Sequence, residues 1–198
     1  YGGPISNTKD LLFINNSNSR FFDWVSSNHI VCEFVRFHPL INSTDFTDNN
    51  IKILENRITC SLSIKLVDSN MSPFKSKVKN MIRKAAQFTK AKISTEKSDY
   101  DVFVKLYISL MIEKKAEKEN FFSAKYFEKL YELIKSNGFM SVIQNKKSQI
   151  LAVGIFLNGK KSCHYHLAAS NKSRYPGLNN YLIYNAATYA KKLNLDVL

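Results

Sequence analysis

Three adjoining runs decide the fold: Phe139-Met140-Ser141-Val142-Ile143, then Ile150-Leu151-Ala152-Val153-Gly154-Ile155-Phe156-Leu157, then Ser162 to Ala169. Asn145-Lys146-Lys147 separates the first two, and Asn158-Gly159 separates the second from the third. Short apolar runs bounded by turn residues read as strands, and Asn-Gly is a strong two-residue hairpin signal. The three runs are therefore consecutive antiparallel strands. The loop Ser170 to Gly177 then opens a helix from Leu178 to about Leu193, and Leu195-Asp196-Val197-Leu198 reads as the start of another strand.

Upstream of the strands the pattern turns helical. A helix starting near Ser123 would bury Phe127, Leu130 and Ile134 and end at Asn137-Gly138. Another starts near Ser98, an N-cap with Asp101 three residues on, and would bury Phe103, Leu106, Tyr107, Leu110 and Met111. A third runs from about Phe74 to Lys92, after the Ser72-Pro73 breaker. Residues 57 to 66 alternate, with Ile58, Cys60, Leu62, Ile64 and Leu66 apolar, which predicts a half-buried strand. The order from residue 57 is β-α-α-α-β-β-β-α-β. The class is α/β, a mixed and largely antiparallel sheet flanked by helices.

Residues 1–50 read differently. Tyr1-Gly2-Gly3-Pro4 is a turn, a helical stretch covers about Asn18 to Ser27, and His29 to Pro39 reads as a buried strand. The polar segment Asn42 to Asn50 makes a linker, so 1–50 and 51–198 form separate units. This turn, helix and strand echo Tyr175-Pro176-Gly177 with the helix from Leu178 and the strand-like run at Leu195. The first unit would then be the end of an incomplete lobe related to the second. The chain opens at Tyr1 and stops within a strand-like run, so a fragment is expected, truncated at its C-terminal end.

At 198 residues, 44% hydrophobic and 23% charged, the chain has globular composition, which excludes wholesale disorder. No apolar run approaches the ~20 residues of a bilayer span. With no signal segment either, a cytoplasmic location is expected. Cys32, Cys60 and Cys163 lack metal spacing and read as reduced thiols. Lys plus Arg number 29 against 16 Asp plus Glu, a net +13, which favours anionic partners.

Two segments concentrate that charge. Lys75 to Lys92 holds seven basic residues and no acidic one; at ~100° per residue Lys75, Lys79, Arg83 and Lys90 share a stripe opposite Val78, Met81, Ile82, Ala85 and Phe88. Surface faces commonly mix signs, so a one-sign stripe points to a phosphate-bearing partner. The second segment is Ser170 to Asn179, a loop between a strand and a helix N-terminus. Free N–H groups and the helix dipole suit phosphate there, and Gly177 would let a ligand approach the backbone.

Arg174-x-x-Gly177-x-Asn179 resembles the pyrophosphate loop of the GNAT acyltransferases, Gln/Arg-x-x-Gly-x-Gly/Ala, with Asn179 departing at the last position. The element order is similar to that fold, with one helix extra. Tyr1-Gly2-Gly3-Pro4, Glu33-Phe34-Val35-Arg36-Phe37-His38-Pro39-Leu40 and Val78-x-x-Met81-Ile82-Arg83-Lys84-Ala85 resemble the FemAB-like branch, whose members carry two GNAT-like lobes. The resemblance implies transfer of an acyl or aminoacyl group to an amine of a sugar or peptide precursor, in cell-envelope or polysaccharide synthesis. Acyl-CoA or aminoacyl-tRNA would serve as co-substrate, with no permanently bound cofactor. By the same resemblance Arg174, Gly177, Leu178 and Asn179 would hold phosphate, and Leu167 to Ser170 would meet the acyl group. The end of the first unit at Arg36 and His38 would serve the acceptor, and Lys79 and Arg83 the phosphate-rich substrate.

His164 and His166 leave one face of a strand. With no third ligand nearby in sequence, no metal is expected. Either histidine could take the proton that an attacking ammonium must lose. The competing function is a non-catalytic RNA- or polyanion-binding module built on the basic helix.

Overall fold

In the computed structural model, which describes every residue except 1, 41, 49, 57 and 172–174, the chain divides into two compact units, Tyr1–Cys60 and Ser61–Leu198. The first holds helix α1 (Leu11–Ser27), capped by Asp10, whose carboxylate accepts from the N–H of Leu12 at 2.9 Å and of Phe13 at 3.4 Å. Ile14 is its one buried residue among those described. The second holds α2 (Ser76–Phe88), β1 (Thr89–Ser94), α3 (Lys97–Glu113), α4 (Ala124–Asn137), β2 (Gly138–Asn145), β3 (Ile150–Asn158), β4 (Cys163–Ser170) and α5 (Leu178–Lys192).

The four strands form one sheet in the order β1-β2-β3-β4, antiparallel throughout. Phe139, Ile143 and Phe156 face α5, where Leu182, Ala186 and Ala190 pack with Ala85 of α2. Met140, Val142, Val153 and Ile155 face Tyr100 and Phe103 of α3 and Phe127, Leu130 and Ile134 of α4. Burial on both faces explains why β2 and β3 read as unbroken apolar runs. Gly154 leaves room for Leu182 of α5. A Cβ on Gly154 would lie 2.5 Å from Leu182 Cδ2, and beside it Ser141 Oγ donates to the Leu182 carbonyl at 3.0 Å.

The expected strands β2 to β4, the helix starting at Ser123 and the helix starting at Leu178 all form; Ser123 Oγ caps α4 by accepting from Tyr126 N–H at 3.2 Å. Several expectations need correction. The helix expected to run to Lys92 stops at Phe88: Thr89 turns extended and its Oγ1 donates to the Ala85 carbonyl at 2.7 Å. Thr89 to Ser94 is instead β1, so Lys90 leaves the helical stripe. The 57–66 alternation does not make a strand. Ile58 is 96% exposed, and among the described residues only Leu62 and Ile64 make backbone bonds to the terminal segment, at Leu198 and Asp196. An alternating run is half-buried only where a neighbouring strand exists to pair with it. The terminal run Leu195–Leu198 is likewise reduced to bridges from Val197 to Ser63 and Ser162. In the first unit His29 to Pro39 is not a buried strand: Val31 is 98% exposed, and among the described residues the segment makes a single bridge, Phe37 to Gly2. Finally, α3 begins one residue before Ser98, with Glu96 in the cap position. Among the described residues no strand precedes α2, so the order in the second unit is α-β-α-α-β-β-β-α, with the additional helix α2 ahead of β1.

Among the described residues no helix is long and apolar enough to cross a membrane.

Candidate functional site

β4 hands the chain to α5 at one end of the sheet. Asn171 is anchored there by its N–H to the Leu151 carbonyl at 3.0 Å, while its side-chain Oδ1 is buried without a hydrogen-bond partner. Gly177 is the N-cap of α5, in a left-handed conformation at φ 86°, and provides no side-chain cap. Tyr181 is the first N–H bonded back, to the Gly177 carbonyl at 2.9 Å. The N–H groups of Leu178, Asn179 and Asn180 therefore lie ahead of the helical ladder, at the positive end of the dipole. The first turn holds no acidic residue. An open depression of about 440 Å³ lies against these groups, lined by Ser170, Asn171, Tyr175 and residues 177–180.

Three segments that meet at this end of the sheet carry no acid in sequence. Thr89 pairs with Asn145 at the mouth of the β2–β3 turn, and Ala152 pairs with Ser170. Residues 84–90, 144–150 and 169–180 contain no Asp or Glu but include Lys84, Lys90, Lys146 and Lys147. Such a grouping sets up a positive local field.

The expected phosphate residues take different roles. Arg174 lies outside the described residues. Leu178 is buried, so it can offer only its backbone N–H. Asn179 is exposed on the first turn. Gly177 serves packing, because a Cβ there would lie 2.3 Å from the Met81 carbonyl oxygen in α2. Its lack of a side chain lets two helices meet, and its backbone also lines the depression.

Helix α2 carries Lys77, Lys79, Arg83 and Lys84 and no acid. Arg83 is exposed and its Nη1 donates to Asn80 Oδ1 at 3.3 Å; Lys79 is half-buried. At ~100° per residue, Lys79 and Arg83 point about 160° away from Met81, whereas Lys77, Lys84 and Phe88 share its side. The sequence pattern singled out the far stripe. The near one, with Lys84 and Phe88, reaches the depression's lining through Tyr175. Phe88 stacks on Tyr175, ring centroids 5.9 Å apart and planes 23° apart.

The histidines lie further along β4. In the β3–β4 register Ile155 faces Leu167 and Phe156 faces Tyr165, so His166 has no partner and forms a bulge. Bulges re-aim side chains and recur beside active sites. Here Tyr165 stacks on Phe156 on the α5 side, while His166 turns to α4, its Nε2 2.7 Å from Tyr126 Oη. The Tyr126 ring is itself stacked on Phe122 at 4.1 Å. Burial, and then the neighbouring charge of His164, hold His166 below the ordinary imidazole pKa. Burial first, then Tyr107, raises that of Tyr126, which stays a neutral phenol. The His164 and His166 rings are 5.9 Å apart, and among the described residues no group of three or more His, Cys, Asp or Glu could hold a metal. Sequence reasoning could not find Tyr126: the two partners are 40 residues apart.

β4 is the sheet's outer strand. Cys163 N–H bonds to the Val197 carbonyl at 2.7 Å, but from Tyr165 to Ser170 no backbone bond reaches the outer edge among the described residues. Cys163 is no nucleophile, since burial pushes its thiol up to about 12. Arg36 is exposed in the first unit, and His38 Nδ1 there accepts from Leu40 N–H at 3.1 Å.

No protein-family model matches the sequence, and no curated protein matches it. Solved structures do. FemX superposes with a TM-score of 0.57 at 12% identity, over 69% of this chain and 50% of that one. The DUF2156 C-terminal domain assigned to a lysylphosphatidylglycerol synthetase of Agrobacterium fabrum gives a TM-score of 0.54 at 10% identity, over 69% and 43%. L-PGS from Bacillus licheniformis gives 0.52 at 7% identity, over 69% and 43%. The chain thus spans half or less of each of these structures. The shared feature is the fold, which is GNAT-like, as the resemblance to the FemAB-like branch implied.

Proposed function

We propose that this chain transfers an acyl or aminoacyl group from a phosphate-bearing donor to an amine. The donor's phosphates would sit at the N-terminus of α5 and its acyl arm along the open edge of β4. The observation that carries this is the N-terminus of α5, which Gly177 leaves without a side-chain cap, following the outer strand β4 and next to segments 84–90, 144–150 and 169–180, which carry no acid in sequence. The likeness to FemX and to the lysylphosphatidylglycerol synthetase domain supports the same class of chemistry. The donor is acyl-CoA or aminoacyl-tRNA. The acceptor is an amine of a sugar or peptide precursor in envelope or polysaccharide synthesis, with Arg36 and His38 of the first unit assigned to it.

The amine nitrogen attacks the acyl carbonyl carbon and a C–N bond forms. The thioester C–S or ester C–O bond then breaks, and the leaving thiol or hydroxyl takes up a proton. A backbone N–H on the β4 edge between Leu167 and Ser170 would polarise the carbonyl. In the tautomer whose Nε2–H donates to Tyr126 Oη, His166 keeps a lone pair on Nδ1 to accept the ammonium proton; its depressed pKa keeps that lone pair available at neutral pH. His166 lies about 13 Å along the strand from Ser170, at ~3.3 Å per residue, which leaves room for an acyl arm. Holding both substrates in place can be worth ~7–11 kcal/mol.

A thermal-shift comparison of acetyl-CoA, aminoacyl-tRNA and nucleotide-sugar precursors tests the proposal, because a ligand that binds only the folded state raises its melting point. A rise with one of the first two, followed by acyl transfer to an amine, is the expected result. The second function, a non-catalytic polyanion-binding module, is favoured by the acid-free α2. It predicts RNA binding that is indifferent to any acyl group, and no turnover.

A further inference from the structure

We infer that Phe88 and Tyr175 form a stacking platform for the nucleobase of the donor, an inference that rests on the phosphate site proposed above. Phe88 is the last residue of α2, and half of its surface is in solvent although Ala85, one turn earlier, is fully buried. Its ring lies nearly parallel to Tyr175, and Tyr175 lines the depression at the α5 N-terminus. Tyr175 therefore links the Phe88 ring to the candidate phosphate groups. Lys84 and Lys90 flank Phe88 in sequence, and no acid occurs from residue 84 to 90.

An exposed Phe88 ring backed by a half-buried Tyr175, in a segment whose charges are all basic, matches what a nucleotide needs. Cationic groups meet its phosphates, and a flat apolar face meets its base. Both donor classes carry adenosine next to phosphate, in coenzyme A and at the 3′ end of tRNA, so the base that would stack is adenine. Lys84 and Lys90 are then available to phosphates on the ribose. The platform favours any flat base over none and discriminates weakly among bases, because every base has a π-face.

The test uses adenosine 3′,5′-bisphosphate and inorganic pyrophosphate as probes, with binding measured by calorimetry for the wild type, Phe88→Ala and Phe88→Trp. Phe88 is half-exposed at a helix end, so both variants should fold, and a melting curve checks that they do. The expected result is a roughly 5- to 150-fold weaker nucleotide affinity for Phe88→Ala, the range one stacked base carries. Pyrophosphate binding stays unchanged, and Phe88→Trp retains or improves nucleotide binding. Unaltered nucleotide affinity in Phe88→Ala, with pyrophosphate still bound, overturns the platform and leaves the phosphate site standing. Equal loss of both probes also overturns it, since that is a packing effect. If the wild type binds neither probe, the phosphate site fails and the platform falls with it.

Discussion

Gly177 and Met81 touch through their backbones: a Cβ at Gly177 would lie 2.3 Å from the Met81 carbonyl oxygen and 2.7 Å from its carbonyl carbon. The N-terminus of α5 is thereby pinned to the middle of α2, and the depression inherits its shape from that contact. Gly177→Ala incurs both a left-handed residue with a side chain, about 1–3 kcal/mol, and a clash with backbone that cannot swing aside, about 1–3 kcal/mol more. A drop in melting temperature of many degrees is expected. Wild-type stability in this variant would mean that the helices are not in contact at this point. Substitution at Gly177 is consequently a poor probe of ligand binding.

Asn179 is the better probe. It is exposed on the first turn of α5, where no acid stands. Asn179→Asp places a fixed anion at the positive end of the helix, stabilising the fold by about 0.3–1 kcal/mol at low salt. The same charge should repel a bound phosphate. Higher melting temperature with weaker pyrophosphate binding is the expected pair of results. A variant that binds pyrophosphate as tightly as the wild type would move the anion site away from α5.

The parts of this fold that could be read from sequence are those where local pattern and tertiary burial agree. β2 and β3 are covered on both faces, so their apolar runs are unbroken, and Ser123 announces α4 by its capping chemistry. β1 is hidden because Lys90-Ala91-Lys92 continues a helical charge pattern, and Ala and Lys are good helix formers. What ends the helix is a tertiary fact, the pairing of Thr89 to Ser94 with β2. The 57–66 alternation misleads for the opposite reason, since its pattern is strand-like but most of it has no partner strand. In the candidate site the loop and its helix are legible because they are contiguous in sequence. Phe88 with Tyr175 and Tyr126 with His166 are not, because each pair is assembled across the sheet from distant segments.

The two sides of α2 separate a pyrophosphate-sized ligand from a larger polyanion. Lys77→Gln with Lys84→Gln alters the side shared with Met81, and Lys79→Gln with Arg83→Gln alters the far side. Either pair should change stability little, since surface substitutions usually stay within about 0.5 kcal/mol. For adenosine 3′,5′-bisphosphate only the near pair should weaken binding. For RNA both pairs should do so and flatten the salt dependence, which scales with the phosphates neutralised. Equal, unchanged salt slopes for RNA in both double variants would make α2 an ordinary solvated face.

The pairing of His166 with Tyr126 makes a pH-dependent prediction whose direction is fixed. The folded-state pKa of His166 lies below the ordinary value, first because the ring is buried and second because of His164. The unfolded chain, with a histidine pKa near ~6.5, binds this proton more readily. Stability should therefore be unaffected by His166 above about pH 6.5. It should fall as the pH drops through the window between the unfolded and folded values, and lose nothing further from this group below it. In His166→Gln that portion of the pH dependence should vanish. Transfer by the wild type should fall with the same protonation, giving an acid limb centred below about pH 6.5. Tyr126→Phe removes an acceptor that the charged ring needs more than the neutral one, so the limb should move to lower pH while the rate drops. KM for the donor should not move, because its phosphates bind about 13 Å further along the strand. Full activity with an unaltered pH profile in His166→Gln would remove the histidine from the reaction and reduce the bulge to a feature of the sheet.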